Sequence, residues 1–246
     1  DHRRLLEKLM DNMNIGRHIS GQFNEDLERV INHVMQMGGL VEKQLNDALV
    51  SVAESNEELA KKVHSNDYQI NELEVSIDDE CTRIIAKRQP AAGDLRLIMA
   101  IVKTIADLER IGDEAEKIAE VTLQSLPNDQ KDLLLNLENL GRRVLECLQA
   151  TLDAFTRMDV DAAIKVHQSD EKIDREYEAL LRQLMTYMME EPRSIPQIMS
   201  VIWSARALER IGDRCQNICE YIIYFVKGKV VRHTTPDAIN QLQQKQ

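Results

Sequence analysis

The chain has 246 residues, 43 % of them hydrophobic, 30 % charged and only 4 % aromatic, with a formal net charge of −11. That is enough apolar material for a packed core and too much for a disordered chain. Nine glycines and five prolines leave few turns, so the elements must be long, which argues against β-sandwiches and barrels, while the acidic balance repels a phosphate backbone and argues against general nucleic-acid binding.

Residues 1–22 are polar and lack a helical period, and they read as a loosely ordered extension. The sequence begins at Asp1, and Met10 or Met13 is the expected start of the natural chain, with the residues before it derived from an expression vector. Six apolar-periodic stretches follow, at residues 24–53, 56–88, 94–124, 129–157, 159–190 and 194–226. Each spans about 45 Å as a helix.

Breakers separate the stretches. Ser55-Asn56-Glu57-Glu58 offers a capping box with Ser55 as N-cap. Gln89-Pro90 and Gly93-Asp94 mark the next turn and N-cap, Leu126-Pro127-Asn128-Asp129 another, and Met158-Asp159 a weaker one. Glu191-Pro192-Arg193-Ser194 ends the fifth stretch, with Pro196 tolerated in the first turn of the sixth. Gly228 closes the sixth, and residues 229–246 form a polar tail. Helices this long, joined by short connections, fold back on their neighbours as antiparallel bundles.

The third stretch shows the period best. Ile98, Ile101, Ile105, Leu108, Gly112, Ala115, Ala119 and Thr122 step by three or four along one buried stripe. A glycine there lowers helix stability by about 1 kcal/mol against alanine, so Gly112 is expected at a close helix crossing.

The strongest pattern is an internal repeat. Leu108-Glu109-Arg110-Ile111-Gly112-Asp113 returns unchanged as Leu208-Glu209-Arg210-Ile211-Gly212-Asp213. A weaker echo pairs Val63, His64, Asp67 and Ile70 with Val166, His167, Asp170 and Ile173. Helix two therefore matches helix five, and helix three matches helix six. The expected fold is all-α: two tandem copies of an up-down three-helix bundle, at residues 23–126 and 127–228. The first holds 21 acids and 11 bases, the second 17 and 13, so the first attracts cations or a basic partner more strongly.

Glu109 and Asp113 stand four apart on one helix face, with Glu116 and Glu120 continuing the strip. Glu209, Asp213, Gln216 and Glu220 repeat it. Asp67, Asn71 and Glu74 on helix two, and Asp170, Asp174 and Glu178 on helix five, are placed to complete each cluster. Carboxylate oxygens in such number suit hard or borderline cations such as Mg²⁺, Mn²⁺, Fe or Zn²⁺. The same spacing also suits a solvated helix face neutralised locally by Arg110 and Arg210, and both readings stand on sequence alone. His64 and His167 read as surface histidines, and Cys215 and Cys219, opposite Ala115 and Ala119, as small core residues.

No phosphate-binding glycine loop, dinucleotide fingerprint, H-E-x-x-H or E-x-x-H pair occurs, so no catalytic machinery is expected. Cys81, Cys147, Cys215 and Cys219 form no C-x-x-C pair and read as reduced cytosolic thiols. No signal peptide and no apolar run of about 18 residues is evident, so the chain is expected in the cytoplasm. Apolar residues near Tyr221, Ile222, Tyr224 and Phe225 are expected to be exposed and to serve a dimer.

At these motifs the chain resembles the PhoU family, the accessory proteins of phosphate-specific transport. The resemblance rests on Met37-Gly38-Gly39-Leu40-Val41-Glu42, Ala86-Lys87-Arg88-Gln89-Pro90, Asp94-Leu95-Arg96, the two repeated E-x-x-x-D segments, and Leu184-Met185-Thr186-Tyr187-Met188-Met189. It runs from about Ile15 to Arg232. It implies two three-helix bundles in a row, a cytoplasmic and often dimeric protein, no catalysis and no required cofactor. It implies partners: the phosphate sensor histidine kinase and the ATPase subunit of the phosphate ABC transporter, through which alone the chain meets the membrane. It also implies repression of the phosphate-starvation regulon and restraint of uptake. Some family members carry metal clusters at the E-x-x-x-D motifs, which places metal at Glu109, Asp113, Glu209 and Asp213; Asn71 stands opposite Asp174, so the two sites are not equivalent.

Overall fold

The computed structural model describes residues 21–90, 92–124 and 131–231. Among the described residues there are six long helices and no strand: α1 Gly21–Ala53, α2 Glu57–Arg88, α3 Ala92–Glu120, α4 Lys131–Arg157, α5 Val160–Glu190 and α6 Ile195–Lys227. Short 3-10 turns, Val121–Gln124 and Pro192–Ser194, follow α3 and precede α6. The expected turn at Leu126–Asp129, residues 1–20 and residues 232–246 lie outside the described residues. Among the described residues no helix is long and apolar enough to cross a membrane.

Local chemistry sets the ends. Asn56, not Ser55, caps α2: its side chain accepts from Leu59 N–H at 3.0 Å. Ser55 stands one residue too early, in a left-handed conformation at φ 52° that closes the preceding turn. Glu57 and Glu58 then sit at the positive end of the helix dipole. Asp159 caps α5 through Ala162 N–H at 2.9 Å. Gly228, at φ 67°, ends α6, and its N–H reaches Tyr224 O at 2.9 Å. At α3 the helix begins at Ala92, so Gly93 and Asp94 lie inside its first turn and not before it.

Helices α1, α2 and α3 pack as one up-down bundle and α4, α5 and α6 as a second. The bundles lie side by side, α3 against α6 and α1 against α4, and their apolar side chains form one continuous core. The contacts are reciprocal. A Cβ on Gly38 would come within 2.8 Å of Leu152 Cδ2, and a Cβ on Gly141 would collide with Leu49 Cδ2. Gly141 and Leu152 are Gly38 and Leu49 advanced by 103 positions, so the repeats face each other as the halves of an isologous dimer would.

The α3/α6 seam also carries polar contacts. Asp107 is 2 % exposed. Its carboxylate accepts from Arg214 Nη1 at 3.3 Å, from Asn217 Nδ2 at 3.5 Å and from the Tyr221 hydroxyl at 2.9 Å. Lys103 Nζ lies 5.5 Å from the Tyr221 ring centre and 5.8 Å from that of Tyr224. This corrects the expected dimer surface: Ile222 and Phe225 are buried, and the two tyrosines are engaged inside the chain. The α6 stripe looks exposed only when read without α3 beside it.

Candidate carboxylate sites

Gly112 and Gly212 position the two acidic clusters. Without a Cβ on Gly112, α2 approaches α3 until Asp67 Oδ1 lies 3.3 Å from where that atom would stand, with Ile70 Cδ1 at 3.1 Å. Gly212 repeats the crossing, with Asp170 Oδ1 at 3.0 Å and Ile173 Cδ1 at 3.3 Å. The glycines thus bring one aspartate from the neighbouring helix against each E-x-x-x-D turn.

In the first half Asp67, Asp113 and Glu116 each offer a carboxylate oxygen within 4.8 Å of the others, and among the described residues no other such group occurs. Asp67 is buried and satisfied. Gln44 Nε2 donates to its Oδ1 at 2.8 Å and Asn71 Nδ2 to its Oδ2 at 3.0 Å. Gln44 also bonds the Gly112 carbonyl at 3.2 Å, which ties α1 to the crossing. Glu109 lies one turn along α3; burial raises its pKa, and Asp113 and Glu74 add repulsion. Burial likewise raises Asp113, with Asp67 next. Glu116 is raised by burial against the opposing pull of His64, with which it is paired.

In the second half the acids are spread more widely, and their support differs. Asp170 is 6 % exposed, and among the described residues no hydrogen-bond partner reaches its Oδ1. Burial, then Asp174 and Asp213, push its pKa up to about 7 against the pull of His167. Asp174, Glu209 and Asp213 are raised as well, each first by burial. Two positions cause the difference: Asp174 stands where Asn71 donates in the first half, adding repulsion in place of an amide, and the Gln44 amide is also lost. The residue 103 beyond Gln44 is Cys147, which sits among Cys215, Thr151 and Ser169 and supplies no amide. Gln216 replaces Glu116, and His167 pairs one turn further along, Nε2 to Glu220 Oε1 at 3.6 Å. Both repeat histidines therefore touch the acidic strips, His64 as the exposed surface group the sequence suggests and His167 as a largely covered one.

Clustered carboxylates with raised pKa values repel one another, and a cation between them removes that repulsion. The first cluster is built from oxygen donors, which fits Mg²⁺, Mn²⁺ or Fe better than a soft ion. The residues missed by sequence reasoning are the helpers Gln44 and Cys147. The available signal was that each is a polar or thiol side chain on an otherwise apolar stripe, with Val41, Leu45 and Ala48 around Gln44. Cys215 and Cys219 are fully buried, as expected of small core residues.

The PhoU domain family matches this chain twice, at residues 34–122 and 137–222. The chain is 53 % identical over 233 residues to the phosphate-specific transport system accessory protein PhoU of Serratia marcescens, covering 95 % of this chain and 96 % of that protein. It is 52 % identical over 233 residues to the protein of the same name from Escherichia coli strain K12, covering 95 % and 97 %. The crystal structure of PhoU from Pseudomonas aeruginosa superposes with a TM-score of 0.80 at 48 % identity, covering 84 % of this chain and all of that one. Two matched repeats, the shared six-helix architecture and identity above half across nearly the whole length place this chain in the PhoU family.

Proposed function

We propose that the chain is a non-enzymatic regulatory adaptor of phosphate homeostasis. It links the ATPase subunit of the phosphate ABC transporter to the phosphate sensor histidine kinase, represses the phosphate-starvation regulon and restrains uptake. It acts in the cytoplasm as a homodimer and meets the membrane only through those partners. Its working units are residues 23–126 and 127–228. The observation that carries this reading is the near full-length identity to proteins named as accessory proteins of phosphate-specific transport. Deletion of the gene, with alkaline phosphatase measured in phosphate-rich medium, tests it. Constitutive expression supports the adaptor, and unchanged repression sinks it.

In the same reading the carboxylate clusters hold divalent or ferric cations. Glu109 and Asp113 with Asp67 form one site, and Glu209 and Asp213 with Asp170 and Asp174 the other. The convergence of Asp67, Asp113 and Glu116 also supports a second reading, a metal-handling protein. Oxygen consumption with ferrous iron separates the two: turnover favours metal handling, and its absence, together with loss of phosphate control on mutating the clusters, favours the adaptor.

A further inference from the structure

The α3/α6 seam is filled on one side of the internal two-fold and open on the other. On the filled side the Tyr221 ring packs beneath Lys103 and its hydroxyl donates to Asp107 Oδ2 at 2.9 Å. Exchanging the repeats, an offset of 100 positions, replaces Tyr221 by Val121 and Lys103 by Trp203. Valine is too short to do what tyrosine does. A cavity of about 350 Å³ remains there, whose lining includes Glu114, Lys117, Glu120, Val121, Trp203, Arg206 and Arg210.

The groups around this cavity are incompletely used. Glu114 is 8 % exposed. Its Oε1 takes Lys117 Nζ at 3.0 Å and Arg210 Nη1 at 3.3 Å, while its Oε2 is buried with no hydrogen-bond partner among the described residues. A buried carboxylate oxygen without a donor is unfavourable by the full cost of its desolvation. Trp203, the one tryptophan of the chain, is 63 % exposed. Large exposed aromatics ringed by polar groups are the side chains that anchor interfaces. Arg206 is exposed at the rim.

We propose that this groove receives a tyrosine side chain from an acidic segment of a partner protein. The phenol ring lies against Trp203 and Val121, and its hydroxyl donates to Glu114 Oε2, because the counterpart of the Asp107 acceptor is Ala207 and Glu114 is the buried carboxylate beside it. Carboxylates flanking that tyrosine meet Arg206 and Lys117. Lys117 and Arg210 neutralise Glu114, and Arg206 with the exposed Glu120 completes the lining, so three cations against two carboxylates leave the groove net positive, with Glu114 Oε2 as the buried acceptor at its floor. An extended anionic surface such as a membrane is disfavoured, because the Glu109, Asp113, Glu209 and Asp213 strips lie on the same two helices. A short segment avoids them. The inference stands on the groove geometry, with Arg206 shared electrostatically with Glu209 and Asp213, and it is independent of which partner the adaptor reading names.

The test uses the full chain and fluorescein-labelled acidic peptides of sequence Glu-Glu-Tyr-Glu-Glu, with phenylalanine or alanine replacing the tyrosine in two controls. The tyrosine peptide is expected to bind and to shift Trp203 emission to the blue. The phenylalanine peptide binds at least about tenfold more weakly, because it leaves the carboxylate without its donor. Trp203→Ala weakens the tyrosine peptide by about thirtyfold, and Arg206→Ala by about threefold, less at high salt. Both variants alter exposed side chains, so their thermal melts should match wild type and show that the fold is intact. Equal binding of the tyrosine and phenylalanine peptides, or binding by neither, overturns the proposal. So does an emission shift with phosphatidylglycerol vesicles but not with peptide. If Trp203→Ala instead dissociates a self-associated wild-type protein in sedimentation, a second copy of this chain occupies the groove and the partner reading falls.

Discussion

Asp170 and Asp67 occupy equivalent places with opposite support, and that contrast predicts opposite responses to the same substitution. Asp67 accepts from two side-chain amides, whereas Asp170 Oδ1 is buried with no hydrogen-bond partner among the described residues. The Asp170 pKa stands at about 7 in the fold, against 3.8 for the free group. Below about pH 4 both native and unfolded chains hold this proton, and the group's contribution to stability is fully present. Between about pH 4 and pH 7 the unfolded chain has released the proton while the native chain retains it, so stability falls by about 1.4 kcal/mol per pH unit. Above pH 7 the loss is complete, at about 4 kcal/mol for a shift of this size. Asn at position 170 is close in shape and neutral at every pH. After allowance for the lost attraction to His167, Asp170→Asn should stabilise metal-free protein at pH 8 by about 2–4 kcal/mol, or roughly 4–16 °C in melting temperature for a chain of this size. The gain should vanish near pH 4. Asp67→Asn should instead destabilise by about 1–3 kcal/mol, because an amide cannot accept from both Gln44 and Asn71. Urea melts from pH 4 to pH 8 with chelator present read both effects. A stability-against-pH curve unchanged by Asp170→Asn, or a loss of stability at pH 8, would refute the reasoning.

Gly112→Leu should destabilise by about 1–3 kcal/mol through overpacking against Ile70 and Asp67, while Gly39→Leu, which meets nothing within 4 Å in an exposed helical position, should raise the thermal melt slightly, through up to about 1 kcal/mol of helix propensity; equal melts for both would refute the crossing. In calorimetric titration with Mn²⁺, Glu109→Ala/Asp113→Ala should reduce binding more than Glu209→Ala/Asp213→Ala, because the first half brings Asp67, Asp113 and Glu116 together; isotherms identical to wild type for both would remove the cation sites. The four cysteines are buried, so a thiol-specific disulfide reagent at pH 8 should react only as fast as the protein unfolds; desolvation pushes the Cys81 thiol up to about 12, whereas Cys147 is lowered by its hydrogen bond with Cys215 and is shielded by packing alone, and rapid labelling of native protein would contradict the packing.

The helices were legible because their breakers are few and chemically distinct, as Asp159 and Gly228 show, and because apolar stripes at helical spacing have few other uses. The start of α2 was misplaced by one residue because Ser55 and Asn56 can both cap, and only the left-handed turn at Ser55 decides between them. The E-x-x-x-D acids were legible because they recur; the terms that set their chemistry were not. Gln44 and Cys147 come from helices whose repeat shows in sequence only faintly, through Gly38 with Gly141 and Leu49 with Leu152. The Tyr221 contact spans 114 positions to Asp107, and no single-helix pattern reports what a neighbouring helix covers. Packing holds apolar positions alike in both halves, since a changed volume is felt at once in a close-packed core. Polar positions at the crossings are freer, because a partner on another helix can compensate. Gln44 against Cys147, Glu116 against Gln216 and Tyr221 against Val121 are all of this second kind. The duplicated skeleton therefore carries two chemically different halves, one with a satisfied acidic cluster and an open seam groove, the other with a strained cluster and a filled seam.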